Sequence, residues 1–381
     1  MRYAMIMAGG AGTRLWPMSR RDEPKQLLKF IQDKKSGGQV SLLSLAARRL
    51  EGLVSVERRL ICTSENYRSV IRRDLPDFTD ERILGEPVGR DTVNAVAFGA
   101  AVLAKRDPNA IFAVLTADHI IEPDEIFKAR MDLAFRLVEQ DPRRFVTFAI
   151  KPTYPATGFG YVQRGAPIRD IDDATSKDGQ PLAYRVERFV EKPDLARAQA
   201  YVQSGEFGWN SGMFVWKAQA VLDCLKKYKP ESHAGVMEIA AAWGTPDQKA
   251  VIDRVYPTLP KISVDYGMME PVAAAIKQGD RTFSIATVEM DVRWLDVGSW
   301  PSYAQTVDAD SSGNRIAGSG KGMVVNGRNN LVVAGSGGKL VALLGCDDMV
   351  VVDTPEATLV MPRSKAEDLK LLHSQVEDRL K

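Results

Sequence analysis

Two groups of residues in this chain could do chemistry on an anion. One is a glycine-rich basic loop near the start, and the other is a set of carboxylates that follow apolar runs. The loop reads Ala8-Gly9-Gly10-Ala11-Gly12-Thr13-Arg14 and continues through Arg20 and Arg21 to Lys25. Glycine lets backbone N–H groups come close to a phosphate, and fixed cations balance its charge. Arg can bridge two phosphate oxygens, while Lys acts as a point charge. From Thr13 to Lys35 seven Lys/Arg stand against three Asp/Glu, a net +4, whereas the whole chain carries only +2. The positive charge is therefore concentrated in the loop, which favours a small anionic ligand over a broad basic face. The loop is not a P-loop, because no Gly-Lys-[Ser/Thr] follows. As a dinucleotide fingerprint it has Leu15 where the third glycine belongs, which argues against a dehydrogenase. Alone it is a weak signal that a structural turn also explains. Joined to Arg14 and Lys25 it is much stronger.

Asp118 and Asp296 each follow a short apolar run, at the carboxyl edge where open α/β sheets bind ligands. A lone Asp at a strand end is more often a helix cap. In Asp296-Val-Gly-Ser299, however, Ser299 is itself a candidate cap, which leaves Asp296 free. Two carboxylates brought together beside phosphates suit Mg²⁺, which takes one or two carboxylates plus phosphate oxygens and water. Glu191-Lys192 lies between Phe189-Val190 and Pro193, unlike a solvated charge pair. Asn210, between Trp209 and Ser211, is a candidate directed hydrogen-bonding group. The chain has three histidines and no His or Cys pair at ligand spacing, so His119 reads as structural and a zinc site is disfavoured. Trp16, Trp209 and Trp294 read as packing residues.

Strand and helix patterns alternate from the first residue and must position these groups. Tyr3–Ala8, 60–63, 82–84, 111–115 and 145–150 read as strands. Helices are expected over 42–53, 67–75, 91–105 (capped by Asp91 or Thr92) and 124–140. The alternation predicts an α/β fold with a doubly wound, mixed but mainly parallel sheet. Beyond Lys151 the pattern becomes more mixed, with strands at 157–161, 185–193 and 209–216. A Gly/Ser/Asp-rich stretch at 308–322 marks a boundary. The expected domains are a catalytic one over 1–308 and a β-rich, solenoid-like or sandwich-like one over 309–381 that ends in an amphipathic helix, 365–380.

Hydrophobic content of 45% and charged content of 26% are those of a soluble globular protein. The small net charge gives no reason to expect nucleic acid or a membrane surface. Cys62, Cys224 and Cys346 form no CxxC pair and read as reduced cysteines. No run approaches a spanning helix or a signal segment, so a cytoplasmic location is expected.

Five motifs together resemble the mannose-1-phosphate guanylyltransferases, a branch of the sugar nucleotidyltransferases. They are Ala8-Gly-Gly-Ala-Gly-Thr-Arg-Leu-Trp-Pro-Met-Ser-Arg20, Pro24-Lys-Gln-Leu-Leu28, Phe189-Val-Glu-Lys-Pro193, Trp209-Asn-Ser-Gly-Met-Phe214 and Trp294-Leu-Asp-Val-Gly-Ser-Trp300. They occur in matching order along the whole chain. Gly-Gly-x-Gly-Thr-Arg-Leu is shared by sugar nucleotidyltransferases in general, whereas the tryptophan-bearing motifs point to the guanylyl branch. The resemblance implies transfer of GMP from GTP to mannose 1-phosphate in a β-helix-tailed homodimer. It implies that Ala8, Gly9, Gly10 and Gly12 approach the nucleotide, that Arg14 and Lys25 neutralise its triphosphate, and that Asp118 and Asp296 hold Mg²⁺. Glu86 would accept from the guanine N1 and N2 donors. Glu191 and Asn210 would bind sugar hydroxyls, Lys192 the sugar phosphate, and Gly160 would admit the sugar to the backbone.

Departures from the family pattern are Asp91 and Asn94 in Gly89-Arg-Asp-Thr-Val-Asn-Ala95, and Thr116 where the family often has Pro. Asp91 adds negative charge near the nucleotide. Long members carry a cupin-type isomerase domain whose histidines are missing here, so only the transferase activity is implied. The rival readings are a nucleotidyltransferase for another sugar or another triphosphate, and a noncatalytic nucleotide-sugar sensor. A sensor would be expected to have lost Lys25 or one of the aspartates.

Overall fold

Met5, Ile6 and their neighbours form a strand because an unbroken apolar run can be buried on both faces of a sheet. In the computed structural model this strand, Arg2–Ala8, lies inside a nine-stranded sheet. The structure describes residues 1–381 except Ala11, Lys34, Ser36, Asp173 and Ser336. The strand order is Ile83–Glu86, Arg59–Ser64, Arg2–Ala8, Ile111–Thr116, Phe207–Lys217, Arg144–Ile150, Ser284–Met290, Ala183–Val190, Tyr161–Pro167. Phe207–Lys217 and Ala183–Val190 run against the other strands, so the sheet is mixed but mainly parallel.

The chain divides into two compact units that interleave in sequence. One comprises 1–9, 47–116 and 121–294, and the other comprises 10–46, 117–120 and 295–381. The first unit holds the large sheet. Its main apolar cluster joins Tyr3 and Met5 to helix Asp91–Arg106 and to helices Ala218–Tyr228 and Pro230–Ala242. Close packing there depends on Gly99, where a Cβ would stand 2.4 Å from the Met5 sulfur. Helix Asp124–Gln140 buries Phe127, Met131, Phe135 and Val138.

In the second unit, short parallel strands stack as a solenoid. Arg315–Gly318 pairs with Leu331–Ala334, which pairs with Met349–Asp353, and Lys321–Val325 pairs with Leu340–Leu344. Buried Leu331, Val333, Val350 and Val352 pack in one cluster with Leu15, Trp16, Leu295, Val297 and Trp300. A ladder of asparagines closes the turns. Asn314 Oδ1 accepts from Asn330 N and Nδ2, Asn330 Nδ2 donates to the Cys346 carbonyl at 2.7 Å, and Met349 N–H donates to Asn330 Oδ1 at 2.9 Å.

Several expectations are corrected. Residues 157–160 are not a strand, and pairing begins at Tyr161. Asp91 and Thr92 do not cap their helix. Asp91 takes φ +62° and accepts only the adjacent Thr92 N–H, while the Thr92 hydroxyl accepts from Val264 N–H. The final amphipathic helix is short, Leu369–Gln375, between 3₁₀ turns at Arg363–Asp368 and Asp378–Leu380. Leu369 is buried, but Leu372 faces solvent. Strand Ser284–Met290 had no clear alternation and was not expected.

The asparagine ladder yields a stability test. Asn330→Ala removes the three side-chain bonds, keeps the backbone bond to Asn314, and takes their Asn330 partner from the part-buried Met349 N–H and Cys346 carbonyl. A loss of about 2–4 kcal/mol is expected by urea denaturation. A change below about 1 kcal/mol would mean that water or backbone shifts replace the ladder.

Candidate active site

The expected site residues form two constellations, one in each unit. In the second unit the basic loop turns through Gly12 at φ +63°. A Cβ at Gly12 would stand 2.5 Å from Ser19 Oγ and 3.0 Å from the Lys25 side chain, so glycine is what lets the loop lie against Lys25. Lys25 is buried, and its Nζ donates to Asp118 Oδ2 at 2.7 Å and to the Val297 carbonyl at 3.2 Å. The Val297 N–H donates to the Asp118 carbonyl at 3.0 Å, which brings the 295–298 segment alongside Asp118. Ser299 caps the next helix in a reciprocal pair with Ser302, so Asp296 is released from capping as expected.

Ligand atoms of Asp118, His119 and Asp296 lie within 4.8 Å of one another. His119 Nε2 is 3.9 Å from Asp118 Oδ1, so the residue read as structural belongs to this cluster. Burial favours the neutral form of Asp118, but Lys25 and then His119 outweigh it and hold its carboxyl below the usual range. Asp296 goes the other way, raised first by burial and then by the charge on Asp118. Asp296 Oδ1 is buried without a hydrogen-bond partner among the described residues. Hard carboxylate oxygens, one of them without a donor, fit a divalent cation. Arg14 pairs with Glu367, Nη1 to Oε1 at 2.9 Å. Gly298, which the sequence reading passed over, keeps this corner open. A Cβ there would stand 3.2 Å from both Arg14 Nη2 and Asp296 Oδ1. Gly10 also takes positive φ, and its carbonyl accepts from Gln26 at 3.5 Å.

In the first unit, Glu86 ends a buried strand. Its Oε1 accepts from the Tyr256 hydroxyl at 2.6 Å, and burial raises its carboxyl despite that bond. Glu86 Oε2 is 3.8 Å from where a Cβ on Gly9 would stand. The Ala8 carbonyl accepts from Thr63 Oγ at 2.8 Å. Gly160 brings Glu191 and Asn210 together, since a Cβ there would stand 2.5 Å from Glu191 Oε2 and 3.3 Å from Asn210 Cβ. Lys192, at φ +45°, turns an exposed ammonium back to Glu191 Oε1 at 3.0 Å. Asn210 Nδ2 donates to Asp265 Oδ1 at 3.1 Å. Asp265 was missed in the sequence, where Ser263-Val-Asp-Tyr266 gives no motif by composition. Burial, then the Glu191 charge, pushes the Asp265 carboxyl up to about 7. Trp209 packs against Tyr154, Phe159 and Trp294, consistent with a packing role.

The Asp265 shift sets a pH dependence. The unfolded carboxyl titrates near 3.8 and the folded one at about 7. Between these values the folded chain keeps a proton that the unfolded chain has released, so stability falls as pH rises across the window. Above it the full cost of the buried charge is present. Asp265→Asn lacks that cost, so its melting temperature relative to wild type is expected to be higher at about pH 8 than at about pH 4. An equal difference at both pH values would contradict the burial of this charge.

Comparison with known proteins follows the same lines. The nucleotidyl transferase family matches residues 3–312, and a MannoseP isomerase/GMP-like β-helix domain matches 320–375. The chain is 38% identical over 375 residues to a mannose-1-phosphate guanylyltransferase of Klebsiella pneumoniae, covering 97% of this chain and 73% of that protein. A mannose-1-phosphate guanylyltransferase of Escherichia coli (strain K12) is 36% identical over 383 residues, covering 98% of this chain and 73% of that protein. A crystal structure from Thermus thermophilus, described as a mannose-1-phosphate geranyltransferase, superposes with a TM-score of 0.80 at 30% identity over 98% of both chains. The chain therefore belongs to the mannose-1-phosphate guanylyltransferase family of nucleotidyl transferases.

Proposed function

We propose that this protein transfers GMP from GTP to mannose 1-phosphate, releasing GDP-mannose and pyrophosphate. The observation that carries the reading is the Lys25 ammonium held against Asp118 beside the unpartnered Asp296 oxygen. A buried cation next to two carboxylates offers a partner for phosphate oxygens and ligands for a divalent cation that accompanies them. The sugar and the base are taken from the relatives that share the two-unit sequence.

In this reading the sugar-phosphate oxygen attacks the α-phosphorus in line, that P–O bond forms, and pyrophosphate leaves with the electrons of the broken bond. The attacking phosphate is already anionic near neutral pH, so no residue has to take its proton. Arg14 and Lys25 neutralise the triphosphate, and the 3.2 Å contact to Val297 fixes the direction of the Lys25 ammonium. Arg14 must exchange Glu367 for phosphate, a small cost for an exposed ion pair. Glu86 takes the guanine N1 and N2 donors with the oxygen that Tyr256 leaves free. Ala8, Gly9, Gly10 and Gly12 let the backbone approach the nucleotide, and Gly160 does the same for the sugar. Glu191 and Asn210 bind sugar hydroxyls, and Lys192 binds the sugar phosphate. Mg²⁺ held by Asp118 and Asp296 would supply charge neutralisation and polarisation at the phosphoryl oxygens.

Residues 1–308 act as the catalytic domain and 309–381 as the β-rich domain. The active form is a homodimer in the cytoplasm. Support for the dimer is an exposed apolar face in which Met323 lies opposite Ala342 and Val325 opposite Leu344. Among the described residues no helix is long and apolar enough to cross a membrane.

Pyrophosphate release measured over a panel of triphosphates and sugar 1-phosphates is expected to be greatest with GTP and mannose 1-phosphate. Preference for UTP or dTTP with a glucose phosphate would replace this reading with its nearest rival. Lys25→Ala is expected to lower kcat/KM about 100-fold or more in both directions, and unchanged rates would remove Lys25 from the site. Mg²⁺ is expected to raise the melting temperature of the wild type but not of Asp296→Asn. The apo form of that variant should itself melt higher than apo wild type, because one of two crowded charges is gone. Equal Mg²⁺ stabilisation in both would exclude Asp296 as a ligand.

A further inference from the structure

Asn210 sits where strand Phe207–Lys217 shifts register against Arg144–Ile150, between the pairs Asn210–Ala149 and Phe214–Thr147. Its carboxamide is held at both ends. Oδ1 accepts from Thr147 Oγ at 2.8 Å, and the Gly212 N–H reaches it at 3.4 Å. Nδ2 gives one N–H to Asp265 Oδ1, and its second N–H has no partner among the described residues. The Thr147 hydroxyl could not choose this orientation alone, because a hydroxyl donates or accepts with equal ease. The long Gly212 contact favours the same orientation weakly, and the acceptor at Asp265 secures it and leaves one spare N–H as a fixed donor.

The same corner carries an acceptor. The Gly160 carbonyl takes the Asn210 backbone N–H at 2.8 Å, and the room left by the missing Gly160 side chain is filled by the Glu191 carboxylate. A hydroxyl group donates once and accepts as well, so Glu191 and the spare Asn210 N–H together match the hydroxyls of a sugar. Asp265 is an odd choice for a purely structural bond. Glu191 is a like charge within reach, Glu270 is raised by burial and then by that same Glu191 charge, and Lys192 is the cation acting on Asp265. A neutral side chain would hold a structural bond at lower cost.

We propose that Asp265 is a positioning residue that locks the Asn210 carboxamide with its NH₂ edge available to a sugar hydroxyl, and so sets the affinity for the sugar phosphate. This rests on the sugar-binding reading of Glu191 and Asn210. Asp265 acts through Asn210, so its loss bears on sugar binding and leaves nucleotide handling alone.

The test is steady-state kinetics on purified full-length variants with mannose 1-phosphate and GTP. Asp265→Ala is expected to raise the KM for mannose 1-phosphate about 10-fold, the worth of one oriented hydrogen bond. Its kcat and its KM for GTP should stay within about twofold. Asp265→Asn, which can still present a carbonyl oxygen, should restore most of the affinity. The double variant Asn210→Ala/Asp265→Ala should be no worse than Asn210→Ala alone. If Asn210→Ala raises the sugar KM and Asp265→Ala does not, the positioning role is overturned while the sugar site stands. If neither changes it, the sugar-site reading fails first and the positioning role with it. Additive losses in the double variant, or parallel losses in kcat and both KM values, would also overturn the positioning role.

Discussion

The contact between Lys25 and Asp118 is the constraint on which the candidate site of the second unit depends. The buried ammonium compensates Asp118 directly and leaves Asp296 the carboxylate in excess, and removing Lys25 would leave both charges uncompensated in a poor solvent. The glycine at 12 lets the loop lie against the Lys25 stem, the Val297 carbonyl steadies the ammonium, and Gly298 leaves room for Arg14 beside Asp296. Three stretches far apart in sequence are thus held to one small charge pattern. The unequal treatment of the two aspartates follows from the same pattern. Asp118 has the ammonium and Asp296 does not.

Much of this was legible in the residues. The apolar runs gave the parallel core strands because burial on both faces needs no alternation, and the run at Ile111–Thr116 is a clear case. Arg14, Lys25, Asp118 and Asp296 could be named because cations clustered beside glycine, and a strand-end Asp relieved of capping by Ser299, say more together than each does alone. Ser299 as a helix cap was legible for the same local reason. Asp265 and His119 were not, because their meaning comes from neighbours that only the folded chain supplies: Asn210 for one, Asp118 for the other. The failed cap at Asp91 is a tertiary override. The backbone turns through positive φ there, and the Thr92 hydroxyl is taken by Val264 from a distant segment. The broken C-terminal helix is another, since its turns follow the anchoring of the chain rather than the spacing of Leu369, Leu372, Val376 and Leu380.

The departure at Asn94 also acquires a physical meaning. Its Nδ2 donates to the carbonyls of Arg90 at 2.9 Å and Pro260 at 2.6 Å, so it ties the loop before the helix to the segment around Pro260. A side chain without a donor could make neither bond. The Arg90 guanidinium reaches the Pro257 carbonyl in the same region, close in sequence to the Tyr256 that holds Glu86. The constellation around Glu86 is thus stiffened by side-chain to backbone bonds, whereas the one around Lys25 relies on charge.

The indole of Trp16 donates to the Leu380 carbonyl at 2.8 Å, the Arg21 N–H donates to the Lys381 carbonyl at 2.9 Å, and Trp300 donates to the Trp16 carbonyl. Trp16 and Leu380 are 364 positions apart. During synthesis, the glycine loop leaves the ribosome long before these partners do. It cannot take its final shape until the segment that closes over it has been made. A nascent chain of this kind completes the surroundings of its glycine loop late, and a truncation before Leu380 would take the partners of the Trp16 indole and the Arg21 N–H with it while sparing Arg14, Lys25, Asp118 and Asp296.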